Sequence, residues 1–514
     1  MNDNKLKKIE IEENMEINSF LLGTAELEFE NSEKSSVSFL SPNAEKTSTH
    51  ITLIVGANGT SKSRTLDSLV EQLCDIQDQR VAIESSRKYP TSGTHGLICT
   101  ALSTFGNGQE SHYLVQNDSE SLVAKPNELL ALPSRILVLS NLVMDKFHYP
   151  KVSGDGNQFY HYLGVRQSTN MMTSGSMDRS VTEAILSIGP DQKRLKSFQE
   201  WVALIFSGTR ELALKFPRLS VSTIKKYLAL NDKKKFLSDR MQSRSGSGRS
   251  ISNQTFSIDD TEKKITELFE FLIRKFTVYS KVQKETRDES QVVLRLSALT
   301  KIEKIKLTQL PLLLTAAARV GYSPWPSLCF ESSPWLQFNQ LSSGEQNLLS
   351  VGAKIIAHAR PGCLIAIDEP EISLNVAWQQ HYTDLILKSL SHSPGSHVLI
   401  ATHSPHFIAS VPAGKSSVVL VERNQKNLSF KTMDSHFEGW GAEAILYQVL
   451  GIPSASSFLF ERELAKVLRH IQDDGTDKNL IKNFITLASK LDFAGIEPLE
   501  DVVGEIKIYL EGLP

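Results

Sequence analysis

Cysteine is scarce in this 514-residue chain. Cys74, Cys99, Cys329 and Cys363 stand far apart with no CxxC spacing, which excludes a disulfide framework and a cysteine zinc site. A chain this long builds a large core without either. An excess of charge is missing too: lysine plus arginine number 56, aspartate plus glutamate 58, a net of -2. Any affinity for nucleic acid therefore has to come from a local patch. Long apolar runs are absent, since Ile136–Met144 and Gly362–Ile367 fall far short of a bilayer-spanning helix. The opening MNDNKLKKIEIEENMEIN is too charged for a signal peptide, so a soluble cytoplasmic chain is expected. Internal repeats and sustained heptads are lacking as well. What remains, 40% hydrophobic and 22% charged residues, is ordinary globular composition and excludes a disordered chain. The length suits about three domains, or one large fold carrying an insertion.

Alternation of apolar and polar positions (Ile9, Ile11; Leu27, Phe29; Val37, Phe39) predicts short antiparallel strands in the first 50 residues. The continuous apolar run Ile51–Gly56 predicts a buried strand. Beyond Ser63, Leu66, Leu69, Val70 and Leu73 fall at helical spacing. Arg135–Ser140 reads as another strand. From Ser197 to Ala298 the pattern is helical. Ile265, Leu268, Phe269, Leu272, Ile273 and Phe276 form one stripe there, behind a Ser257-x-x-Asp260 start signal. Met241–Gln254, rich in serine, glycine and arginine, reads as a loop. A helix is expected over residues 346–359, with buried strands at Gly362–Pro370 and His397–Ser404 and a helical tail from Gly451.

Four short segments carry chemistry. Gly56-Ala57-Asn58-Gly59-Thr60-Ser61-Lys62-Ser63 fits GxxxxGK[ST] at every position except Ser61, where the pattern has glycine. Such a loop wraps phosphates with backbone N–H groups at a helix N-terminus. Asn58, Gly59, Thr60, Ser61, Lys62, Ser63 and Arg64 are the expected phosphate contacts, with Lys62 on the β- and γ-phosphates and Ser63 on Mg²⁺. Asp368-Glu369 ends an apolar run, and two adjacent carboxylates repel unless something compensates. Mg²⁺ on Asp368 compensates, which leaves Glu369 to activate water. Ser342, Ser343 and Gly344, in Leu341–Gln346, offer a hydroxyl and bare N–H groups at a helix start. His403 follows the last buried strand. A further feature is a basic run. Between Lys225 and Arg249, Lys225, Lys226, Lys233, Lys234, Lys235, Arg240, Arg244 and Arg249 face only Asp232 and Asp239, a local net of +6. That is either a solvated surface or a phosphate contact.

The order of these segments resembles that of ABC-type ATPases. Walker A (Gly56–Ser63) comes first, then a signature (here LSSGEQ). Walker B, with its catalytic glutamate, lies 26 residues beyond Ser342, and a switch histidine lies 34 beyond Glu369. The resemblance covers about 200 residues in two blocks, roughly 1–80 and 335–445. It implies an α/β fold: an ABC-type P-loop ATPase head with a mixed sheet flanked by helices, N-terminal antiparallel strands and a helical insertion between Walker A and signature. The expected division is 1–190 and 306–450 for the ATPase core, 191–305 for the helical insertion with its basic loop, and 451–514 for a helical tail. ATP and Mg²⁺ are the implied cofactors, Glu369 and His403 the implied catalytic residues, and Ser63 and Asp368 the metal ligands. A homodimer or higher homo-oligomer would close over ATP. Asp368–Gln380, DEPEISLNVAWQQ, is similar to the overcoming-lysogenisation group, with Asn375-Val376 in place of a usual His-Pro. Relatives there often carry a Toprim nuclease. Glu422 stands where a Toprim glutamate could lie, but Asp473-Asp474-Gly475 is not the DxD that must follow. Ile136–Phe147 and Tyr160–Arg166 resemble the PtuA ATPase subunits of Septu-type and retron-associated anti-phage systems. That likeness implies a sensor controlling a separate HNH nuclease, and in the retron form a reverse transcriptase with its RNA–DNA, or contact with phage DNA. The alternative is a repair or recombination ATPase acting on DNA ends. The Ser140-Asn141 corner is a candidate Q-loop.

Overall fold

The computed structural model describes residues 18–29, 34–85, 97–114, 131–142, 145–147, 159–164, 174–208, 210–245, 257–280, 291–322, 325–332, 335–412, 414–424, 427–433, 437, 439–450, 458–473, 475, 477–489 and 497–512. The strand expected around Ile9 and Ile11 and most of the serine-rich loop lie outside them. Strands run in the order β1 (Phe20–Phe29), β2 (Ser35–Ser38), β3 (His50–Val55), β4 (Leu97–Gly106), β5 (Gln109–Leu114), β6 (Ile136–Ser140), β7 (Tyr160–Tyr162), β8 (Leu212–Ser220), β9 (Gln291–Arg295), β10 (Ser327–Phe330), β11 (Leu336–Gln337), β12 (Leu364–Asp368), β13 (His397–Thr402), β14 (Ser416–Asn424) and β15 (Asn427–Met433). Helices are α1 (Lys62–Ser85), α2 (Ser174–Ile188), α3 (Gln192–Ile205), α4 (Val221–Leu228), α5 (Lys233–Ser245), α6 (Ile258–Ser280), α7 (Lys301–Leu307), α8 (Leu310–Arg319), α9 (Ser343–His358), α10 (Val376–Ser389), α11 (Pro405–Ala409), α12 (Ala442–Gln448), α13 (Phe458–Gln472), α14 (Lys478–Ala488) and α15 (Glu497–Gly512).

Continuous apolar strands need cover on both faces, and four of them form the middle of a seven-stranded sheet. Its order is β15-β14-β3-β13-β12-β6-β7, parallel except for the β14–β15 hairpin. Alternate side chains feed two different cores. Ile54, Val138, Leu364, Ala366 and Leu399 join α1 and the four-stranded antiparallel sheet β2-β1-β4-β5 on one face. Leu53, Leu137, Leu139, Ile365, Ile367 and Ile400 join α2, α3 and α9 on the other.

The N-terminal ends of the strands are tied down by buried histidines. His397 accepts from Leu22 N–H through Nδ1 at 2.9 Å, and its Nε2 lies 2.9 Å from Thr52 Oγ1. The Thr52 hydroxyl spends its proton on Phe39 O at 2.6 Å, so Nε2 is assigned the ring proton. His50, its register partner, bonds Ser417 Oγ at 2.8 Å. These contacts fasten β1 and the residue after β2 to the central sheet.

The 191–305 segment differs from expectation. It is helix-rich but not helical throughout, because β8 and β9 pair within it. They join β10 and β11 in the antiparallel sheet β11-β10-β8-β9. Leu212, Leu214 and Phe216 are buried at strand spacing, a signal too short to show against the flanking helical periodicity. Pro217 falls where the β8–β9 register shifts between Phe216 and Ser220, a place a proline tolerates. Within the helical stripe Ile265, Leu268, Phe269 and Leu272 are buried and Ile273 is half-buried, the Phe276 side chain lies outside what is described, and Asp260 N–H donates to Ser257 Oγ at 3.1 Å. The tail, α13 to α15, has its own small core around Phe460, Ile481, Phe484 and Ile506. Among the described residues no helix is long and apolar enough to cross a membrane, and the four cysteines are free.

Candidate active site

Parallel strands end at one edge of the sheet, and in open α/β sheets that edge is where ligands bind. The ends of β3, β13, β12 and β6 lie side by side, with Thr402 beside Val55, and Asp368 between Ala401 and Ser140. The phosphate loop leaves β3 and turns into α1 at Lys62. Gly56 has no room for a side chain, because a Cβ would stand 2.4 Å from Val421 O. Gly59 has φ +83° and Ser61 φ +72°, so the position where the pattern has glycine is left-handed here, with serine in it. Asn58 and Gly59 are exposed at the tip, Thr60 is buried beneath it, and Arg64 is half-buried in the first turn of α1.

The side chains singled out from Walker A, Walker B and the switch converge. Lys62, 5% exposed, donates to Gly56 O at 3.1 Å and Ala57 O at 3.2 Å, and its Nζ lies 3.9 Å from Glu369 Oε1. Ser63 Oγ donates to Asp368 Oδ1 at 2.8 Å. His403 Nδ1 is 2.7 Å from Glu369 Oε2. Burial pushes the Asp368 carboxyl up to about 6, against the Ser63 hydrogen bond. Burial first, then the charge of Glu371, pushes Glu369 up to about 7, against His403 and Lys62. Glu369 also holds φ +47°, a left-handed conformation unusual for its type and of the kind that collects at functional sites.

The signature residues stand at the start of α9. Ser342 is its N-cap in a reciprocal capping box with Glu345: Ser342 N–H donates to Glu345 Oε2 at 2.8 Å and Glu345 N–H to Ser342 Oγ at 3.4 Å. Ser342 and Ser343 are exposed. Gly344 must be small, since a Cβ would come within 2.8 Å of Ser373 O. Asn347, one turn further on, donates to Ile372 O at 3.0 Å. The turn after Walker B therefore abuts the signature helix. Asn375 is the N-cap of α10, accepting from Trp378 N–H at 2.9 Å, which gives the departure from His-Pro a local purpose.

Three residues carry weight that the sequence reading did not assign to them. Glu371 is buried and bonded to the end of β13. Tyr162 on β7 donates to Asp145, whose charge acts on Asp368. The second glutamate of DEPE was the available signal for Glu371. Tyr162 and Asp145 lie in the stretches quoted for the Septu resemblance, but no chemical pattern marked them. Part of the basic run is engaged within the chain: Lys234 pairs with Asp259 at 2.7 Å, and Arg240 keeps its charge but lies 4.6 Å over the Tyr322 ring. Lys225, Lys226 and Lys235 remain exposed. Glu422 sits on β14 within the central sheet, and after β15 the described residues form helices alone, so no Toprim sheet follows it among them.

Strand order and site together define the class as an α/β P-loop nucleotide-binding fold with the ABC-type order of motifs. The family described as "AAA domain, putative AbiEii toxin, Type IV TA system" matches residues 221–409, just over a third of the chain, from α4 through the signature, Walker B and His403. No curated protein matches by sequence. Among solved structures, the chain is similar to the SMC head domain from Thermotoga maritima, at 12% identity and TM-score 0.30, over 80% of this chain and 99% of that one. It is also similar to the Smc head domain of Pyrococcus furiosus bound to the C-terminal domain of ScpA, at 13% and 0.26, over 80% and 96%. The ADP conformation of an ATP-binding cassette of an ABC transporter aligns at 9% and 0.29, over 84% and 96%. At these scores the alignments carry no functional argument, and the class rests on the strand order and the site.

Proposed function

We propose that this chain binds and hydrolyses ATP with Mg²⁺ in composite sites between two copies, and that the nucleotide cycle controls a partner effector in an anti-phage defence complex. The observation that carries the first part is the meeting of Lys62, Ser63, Asp368, Glu369 and His403, from three places in the chain, at one edge of the sheet.

The residues fit a magnesium nucleotide. Asp368 Oδ2 is buried with no hydrogen-bond partner, an orphan oxygen of the kind a cation satisfies, and Ser63 Oγ lies beside Oδ1. Ser63 and Asp368 would hold the ion, which offsets negative charge on the phosphates. Lys62 supplies the cation for the terminal phosphates. Glu369, brought near neutrality by burial and by Glu371, takes a proton from the attacking water. His403 would meet the terminal phosphate. Ser342, Ser343 and Gly344 close over the nucleotide of a second copy, which makes the pair isologous.

The regulatory part of the reading rests on the Septu resemblance and on the matched family, whose description names a toxin–antitoxin system. With helices alone following β15 among the described residues, cutting of nucleic acid is assigned to a partner chain, an HNH nuclease. In a retron-attached form a reverse transcriptase and its RNA–DNA would be further partners, reached through exposed lysines such as Lys225, Lys226 and Lys235.

Glu369→Gln tests the chemistry. It keeps side-chain size and leaves Asp368 intact, so ATP affinity by calorimetry stays within about threefold while turnover falls at least a hundredfold, the scale on which a positioned base contributes. Unaltered turnover would remove Glu369 as the base.

A further inference from the structure

Glu371 acts on Glu369 through its charge. It lies in the turn after β12, 8% exposed, and its Oε1 gathers the end of β13. Thr402 Oγ1 donates to it at 2.6 Å and His403 N–H at 2.8 Å. His403 Nδ1 stands 3.1 Å from the same oxygen and 2.7 Å from Glu369 Oε2. Ser404 N–H donates in turn to Thr402 Oγ1 at 3.0 Å. A buried carboxylate is costly unless hydrogen-bonded; here Oε1 is compensated by the two residues on which the course of the chain at His403 depends, while Oε2 is buried without a hydrogen-bond partner. With two carboxylate oxygens before it, Nδ1 is assigned the ring proton, which leaves Nε2 for a further contact.

We propose that Glu371 is a positioning residue for the hydrolysis argued above: it fixes the backbone at His403 and the Nδ1–H tautomer of its ring, and so holds His403 against Glu369. The second carboxylate of the turn thus acts through the histidine and not on the nucleotide. This inference rests on the ATPase reading and fails separately from it.

Two variants of nearly equal volume separate this role from a structural one. Glu371→Gln keeps an oxygen acceptor for Thr402 and His403 N–H, whereas Glu371→Met fills the space with none. Unfolding midpoints of both are measured first, and Thr402→Val serves as a third variant if the methionine protein does not fold. Expected is a kcat within about threefold of the unmodified protein for Gln and a loss of tenfold or more for Met, since small displacements of a catalytic group are expensive. KM and the ATP dissociation constant should stay within twofold for both. A folded methionine variant with unaltered kcat, or glutamine and methionine variants equally impaired, would overturn the proposal. In the fallback, Thr402→Val should lower kcat at constant KM, and an unaltered kcat overturns it equally. If the unmodified protein turns over no ATP while binding it, the ATPase reading itself has failed, and the variants decide nothing further about it.

Discussion

At Ser61 the chain accepts a local cost. A serine at φ +72° sits in the left-handed region, where a side chain costs about 1–2 kcal/mol and glycine costs little. Its carbonyl still accepts from Thr65 N–H at 2.9 Å, a backbone contact that glycine would keep. Ser61→Gly should therefore raise stability by about 1 kcal/mol, after allowance for the greater freedom of glycine in the unfolded chain, with ATP affinity maintained. Chemical denaturation checks this, and a lowered midpoint would contradict the assignment of strain. The departure at Ser61 was visible in the sequence as a mismatch, but its meaning was not, because only the backbone angle says that the position still has the glycine conformation. Glu371 was hidden for another reason. Its partners, Thr402 and His403, lie more than 30 residues away, and their approach depends on β12 and β13 being neighbours in the sheet.

Among elements, the buried strands were the most legible part of the fold. Ile51–Gly56, Arg135–Ser140, Gly362–Pro370 and His397–Ser404 are each built around a short, mostly apolar run, and each forms a strand of the parallel sheet within a residue or two. β8 and β9 were not legible, since their short alternation lies between helices and the strands β8 pairs with, β9 and β10, come much later in sequence. The β4–β5 hairpin carried an unused signal: Asn107-Gly108, at φ +48° and +83°, is the pair that a tight hairpin favours. The ends of β3 and β13 make acid sensitivity an element-scale property. Burial, then the charge of Lys46, lowers the His50 pKa to about 4, and burial lowers His397 as well. The unfolded chain binds the proton first, so stability falls as pH drops below about 6.5 and the loss levels off near 4. For His50 alone the cost is about 3 kcal/mol at 1.36 kcal/mol per unit. Asp368 and Glu369, with raised values, act in the opposite sense over part of this window, so a paired comparison is needed. His50→Gln should flatten the fall of unfolding free energy between pH 6.5 and 4 by up to one proton, and an unaltered slope would contradict the neutral assignment.

For the whole molecule, the sheet gathers Walker A, Walker B and the switch on one edge of a single chain, while Ser342 and Ser343 stand exposed at the start of α9. A nucleotide held by one chain and closed over by the signature of another accounts for both facts. The most direct measurement is ATP turnover by a mixture of two inactive proteins, Lys62→Ala, which loses the cation on the phosphates, and Ser342→Arg, which blocks closure. In a mixed pair one composite site carries both lesions and the other carries neither. The account predicts that each protein alone is inactive and that the mixture recovers up to about half the turnover per heterodimer. Heterodimers demonstrated by mass but without any recovery of turnover would contradict it.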